Sequence, residues 1–155
     1  MTRATLAEAR IYDSWLDYNA ALIRAIAPLT IEQLQHRPIP HLRTPGALAQ
    51  HIVFGRALHL TNALGATATT VLQPYLQWDD VDAPQHPADA IVEGLERTWQ
   101  VISATVKHGD ASDEIAGEVA QSVLQHVWGL LDHDLPHAGE LSLFLGAMGV
   151  PGVEI

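Results

Sequence analysis

A chain of 155 residues is the size of one ordinary domain, long enough to bury about two-thirds of its unfolded surface. Hydrophobic residues make up 48% and charged residues 17%, which excludes a disordered chain, in which too little apolar surface exists to offset chain entropy. A formal charge of -10 repels phosphate backbones and anionic lipids, and the lack of any cysteine excludes disulfides, thiolate ligands and a cysteine nucleophile.

The N-terminal stretch carries charges throughout its apolar pattern and lacks the uninterrupted hydrophobic run of a signal peptide or membrane span. A soluble, cytoplasmic protein is the expectation, with neither nucleic acid nor membrane as partner. In this first segment Tyr12, Trp15, Leu16, Leu22, Ile23 and Ile26 fall at three- and four-residue steps, with Asn19 among them, and predict one stripe of a helix that ends before Pro28. Thr30 and Gln33 in "TIEQL" then make a capping box.

A second long helix starts at Thr44-Pro45, with a capping hydroxyl followed by a proline at the one position where its missing N–H costs nothing. It runs to about Leu64, with Leu48, His51, Ile52, Gly55, His59 and Asn62 on its inner face and Gly65 as its stop. Residues 65–87 show no sustained period, carry three prolines and read as a long loop, in which Trp78 is by default a packing residue and, as the alternative, closes over a pocket. A third long helix spans about 88–108 with Ile91, Leu95, Trp99, Ile102 and Val106 inward and Gly109 as its stop. The fourth, about 119–147, turns Val123, Val127, Leu130, Leu141, Phe144 and Leu145 inward, with Pro136 imposing a kink. No strand pattern competes, so the expected fold is all-α, a single-domain antiparallel four-helix bundle with long crossover loops.

The chemistry lies in the histidines. His133 and His137, four residues apart, share one helix face with Cβ atoms about 6 Å apart, so both imidazoles can reach one ion; His51 on the second long helix is the candidate third ligand. The competing reading makes each a core histidine bonded to a backbone carbonyl. His126 and His59 lie too far along their helices to join the same ion and serve as core-edge groups or as contacts to a substrate or cofactor. Glu140, three residues after His137, can orient a ligating ring, bind the metal's water or accept a proton; a solvated surface charge is its alternative.

The order of pieces resembles the DinB-like (YfiT-like) family of metal-dependent enzymes over nearly the whole chain. The likeness rests on Tyr18-Asn19 in the first helix, on "LTIEQLQHRP" and "TPGALAQHIV", and on "DHDLPHAGELSLFLGAMGVPG", which is similar to that family's His-x-x-x-His-x-Gly-Glu/Gln ending. The resemblance implies one divalent ion, zinc or nickel, held by His51, His133 and His137. It also implies activation of a low-molecular-weight thiol or of water for S-transfer to a small electrophilic substrate, and a homodimer. Family members often carry His-Arg-Gly-Gln where this chain has His137-Ala138-Gly139-Glu140, which removes a cation and adds an anion beside the site. Arg43, Arg56 and Arg97 are the basic residues available to grip an anionic thiol cofactor, Arg56 from the helix that carries His51. A metal-dependent hydrolase and a noncatalytic metal-binding bundle are the alternatives. A di-iron carboxylate bundle is not expected, because paired Glu-x-x-His motifs are missing.

Overall fold

Six helices and one 3-10 turn follow from these signals in a computed structural model, which describes residues 3–80, 82–111 and 118–154, and their side chains over 10–65, 68–80, 82–106 and 129–154. The helices are α1 (Arg3–Ile26), α2 (Ile31–Gln35), α3 (Pro45–Leu64), α4 (Ala66–Leu72), α5 (Ala88–Ala111) and α6 (Glu118–Ala147), with the 3-10 turn at Gln73–Tyr75 between α4 and α5. There is no strand among the described residues, and no helix of theirs is long and apolar enough to cross a membrane.

α1 buries Trp15, Tyr18, Asn19, Leu22 and Ile26. Leu16, expected on that stripe, is 43% exposed: at 100° per residue it falls more than a quarter-turn from the stripe's axis, and Tyr18 takes the inward place. Trp15 and Tyr12 reach α5 by ring contacts to Trp99 at 5.5 and 5.7 Å. The capping box before α2 forms as predicted, Gln33 N–H donating to Thr30 Oγ1 (3.3 Å) while Thr30 N–H donates to Gln33 Oε1 (2.9 Å).

α3 is the central element. Thr44 caps it by accepting the Ala47 amide at 3.1 Å, Pro45 opens it, and Gly65, at φ +65°, ends it. Leu48, Ala49, Ile52, Val53, Ala57 and Leu60 are buried around most of its circumference, as a helix packed on several sides requires. α6, α5, α4 and α2 all pack on it.

Two expectations need correction. Residues 65–87 are not wholly loop: the first part forms α4, whose Ala68 and Leu72, four apart, are buried, and two turns are too short for a hydrophobic period to register in sequence. α5 does not stop at Gly109 but continues to Ala111, since one glycine within a helix costs only about 1 kcal/mol. α6 continues as one helix across Pro136. Beyond it, Gly149 at φ +70° lets the chain reverse, the Val150 amide bonding back to the Leu145 carbonyl at 2.9 Å.

Candidate functional site

The site lies between α3 and α6. His51, His133 and His137 are half-buried, and one ligand atom from each lies within 4.8 Å of the others. Ring centroids are 4.7 Å apart for His51 and His137, 4.8 Å for His133 and His137 and 5.2 Å for His51 and His133. The His133 ring seats against Gly55 of α3: a Cβ there would lie 2.5 Å from His133 Nε2 and 3.0 Å from its Nδ1, so any side chain at that position would have to displace the ring.

Each imidazole faces a carboxylate through Nδ1. His51 meets Asp79 Oδ2 at 2.9 Å, His137 meets Glu140 Oε2 at 2.8 Å, and His133 meets Asp134 Oδ1 at 3.4 Å. A carboxylate only accepts, so Nδ1 carries the proton and a neutral ring is left with its lone pair on Nε2. This carboxylate–histidine arrangement is the one that fixes ring orientation in metal sites and raises ligand basicity. Burial, foremost, keeps the His51 pKa below the ordinary histidine value, against the opposing hydrogen bond to Asp79, and His51 is therefore neutral at pH 7. Burial alone would raise the Asp79 pKa, but hydrogen bonds from Arg43 and His51 outweigh it and hold the carboxyl below its usual range.

Three imidazoles of fixed tautomer suit a borderline-soft divalent ion such as zinc or nickel. Nitrogens bound at about 2.0–2.1 Å around a tetrahedral ion stand about 3.3 Å apart, so the rings would close by up to roughly 1.5 Å from the present spacing.

The carboxylates come from three places. Glu140 is one turn beyond His137 and exposed. Asp134 is fully buried and paired with Arg56, whose Nε donates to Asp134 Oδ2 at 2.7 Å and whose Nη1 donates to Asn19 Oδ1 at 2.7 Å. Tyr18 adds its hydroxyl to the Asp134 carbonyl at 2.7 Å; burial, chiefly, pushes the phenol far up, so it remains a donor. Asp79 sits in the segment between the 3-10 turn and α5, and nothing in the sequence pattern singles it out. Arg43 anchors it through both carboxylate oxygens.

Arg56, expected to contact a thiol cofactor, is completely buried in its pair with Asp134, because α1, α3 and α6 close over it. Arg43 is bound to Asp79, and Arg97 lies 4.0 Å from Glu93 on its own helix. All three arginines named for an anionic cofactor thus face protein carboxylates. Asp134 turns one oxygen to Arg56 and the other to His133 Nδ1. Trp78 packs, stacked on His86 at 4.2 Å and set against Gly94, and it also lines a cleft with Arg43, Gln50 and Asp79. His59 lies 5.9 Å from His133, ring to ring, beside the cluster. The His126 side chain lies outside the described residues.

No family model, curated protein or solved structure matches this chain.

Proposed function

We propose that this protein is a metal-dependent enzyme of the DinB-like kind, built as an antiparallel four-helix bundle with long crossings, in which His51, His133 and His137 hold one divalent ion, zinc or nickel. The observation that carries the reading is the convergence of three imidazoles from two helices, each with Nδ1 on a carboxylate. Bound there, the ion supplies Lewis acidity to a water or a low-molecular-weight thiol at a position the three ligands leave open. The chain's own groups do the rest. Asp79, Asp134 and Glu140 each hold a ring, and Glu140, exposed and bonded to His137 Nδ1, is the carboxylate we assign to take up the nucleophile's proton, relayed by water because Glu140 stands behind the ring and not at Nε2.

S-transfer to a small electrophile follows from the family resemblance. Hydrolysis is the second reading, and one observation favours it: Arg56 is buried against Asp134 and Arg43 is bound to Asp79, which leaves Arg97, exposed and 4.0 Å from Glu93, as the one of the three named arginines not held by a carboxylate and able to meet an anionic thiol cofactor. The working form in this proposal is a cytoplasmic homodimer acting on a small molecule.

Elemental analysis of freshly purified protein is expected to find about one zinc or nickel per chain, lost in His51→Ala. Titration calorimetry of the zinc- and nickel-loaded protein with bacillithiol, mycothiol and glutathione then separates the readings. Heat with one thiol supports S-transfer, and silence with all three supports hydrolysis. Protein without stoichiometric metal, and unable to take it up, refutes the proposal.

A further inference from the structure

His51 and its chain neighbour Gln50 grip the same segment by different means. The buried Gln50 amide donates to the Trp78 and Pro84 carbonyls at 3.3 and 3.2 Å, and its oxygen accepts from Gln85 Nε2 at 2.7 Å and from the His86 amide at 2.9 Å. One residue on, the His51 ring meets Asp79 of that segment at 2.9 Å. The fit is close on both sides. A Cβ on Gly46 would lie 2.5 Å from Gln85 Cδ, and one on Gly94 would lie 3.2 Å from the Trp78 ring. The described residues of this segment, 78–80 and 82–86, irregular in backbone, are thus held to α3 through two adjacent residues, one of which is a proposed metal ligand.

From this geometry we infer that Asp79 is a positioning residue for His51, and that docking of the segment 78–86 on α3 and binding of the metal ion stabilise each other. The inference rests on the three-histidine reading above. Asp79 is held from behind by the Arg43 guanidinium, so its oxygen presents a fixed acceptor to His51 Nδ1 and leaves Nε2 free for the ion. A ring that gives up Nε2 electron density to a cation becomes a stronger donor at Nδ1, which tightens the bond to Asp79 and with it the segment. Linkage makes the effect reciprocal: docking of the segment raises metal affinity by the same factor as the metal raises docking, so a change that undocks the segment weakens metal binding. Gln50 then affects the ion without touching it.

The test uses the full chain and zinc alone. Zinc affinity is measured by competition with a chromophoric chelator for wild type, Asp79→Asn and Gln50→Ala, and hydrogen exchange of residues 78–86 is followed with and without zinc. Asp79→Asn is expected to weaken zinc binding about 10- to 100-fold, the range for loss of such a partner. Gln50→Ala is expected to weaken it in the same direction, and zinc should slow exchange of the 78–86 amides in wild type. Imidazole nitrogen shifts of the metal-free protein supply a reading that a merely structural role would not move: His51 should lose its single tautomer in Asp79→Asn while His137 keeps its own. Zinc binding within twofold of wild type in Asp79→Asn, or exchange at 78–86 unchanged by zinc, overturns the inference and leaves the three-histidine site standing. A wild type that binds no zinc removes both. Should Asp79→Asn fold poorly, the exchange measurement on wild type decides alone.

Discussion

Arg56→Met tests whether the guanidinium serves the interior or a ligand. Arg56 and Asp134 are both fully buried, 2.7 Å apart, in a network that also takes in Asn19 and Tyr18 and so joins α1, α3 and α6. Removing the guanidinium leaves a carboxylate in the core, with the His133 ring at 3.4 Å as its remaining side-chain partner. Breaking a buried pair from one side costs about 3–5 kcal/mol. At about 2–4 °C per kcal/mol for a domain of this size, the melting temperature falls by roughly 6–20 °C. The companion Arg56→Met/Asp134→Leu removes both charges and is expected to recover most of that loss, because well-packed apolar replacements of a buried pair are often neutral or stabilising. Recovery is incomplete to the extent that the Asn19 side chain stays buried without its donor, about 1–3 kcal/mol. Urea unfolding of wild type, both single variants and the double variant, all metal-free, gives the full cycle. A loss below about 1 kcal/mol in Arg56→Met, the range of an exposed pair, refutes the reasoning and returns Arg56 to the list of groups able to bind a cofactor.

Further outcomes follow from single positions. Gly55→Ala should lower zinc affinity at least tenfold in a chelator competition, because the new methyl displaces His133, while alanine's better helix propensity, by about 1 kcal/mol, keeps the metal-free stability near wild type; unchanged affinity would show that the ring has room. Thr44→Ala removes the acceptor for the Ala47 amide and should cost about 1 kcal/mol in urea unfolding, with no change in zinc affinity. Burial holds the His86 pKa below its unfolded value of about 6.5, so the unfolded chain takes up the proton first: stability is fully present above that pH and declines as pH falls through 6.5 toward the folded value. His86→Phe, which keeps the stack on Trp78, should flatten the urea-midpoint profile between pH 7 and 5.5, and an unaltered slope would contradict this assignment.

Local signals were legible in the sequence. Thr44-Pro45 marks the start of α3 because capping and the proline N1 preference act within a few residues, and the four-residue step from His133 to His137 fixes a shared face once both lie in one helix. Contacts remote in sequence were not. Asp79 sits 28 residues from His51 in a stretch without period, and only the docking of that stretch on α3 brings the two together. The Arg56–Asp134 pair spans 78 residues, and spacing places each on a helix without saying that both turn inward; an isolated arginine in sequence is more readily assigned to solvent or ligand. Leu16 shows the opposite error, an apolar residue at a plausible step that the axis of the stripe leaves outside.

The proline between the two α6 histidines shows why a local rule did not decide the site. Pro136 lacks the N–H that would bond to the carbonyl of Asp132, and a proline within a helix costs about 3 kcal/mol or more. Both Pro136 and Asp132 are exposed, four residues apart and therefore on one face, the face turned to solvent. Water can satisfy the freed carbonyl there, and bending on that side disturbs no packed neighbour. His133 and His137 each follow these two positions by one residue, which rotates them about 100° toward α3, and Leu141 and Leu145 continue the inward side beyond. The defect and the candidate ligands occupy different sides of one continuous helix. The pair therefore keeps its four-residue register, with ring centroids 4.8 Å apart, across a residue that would otherwise have separated them.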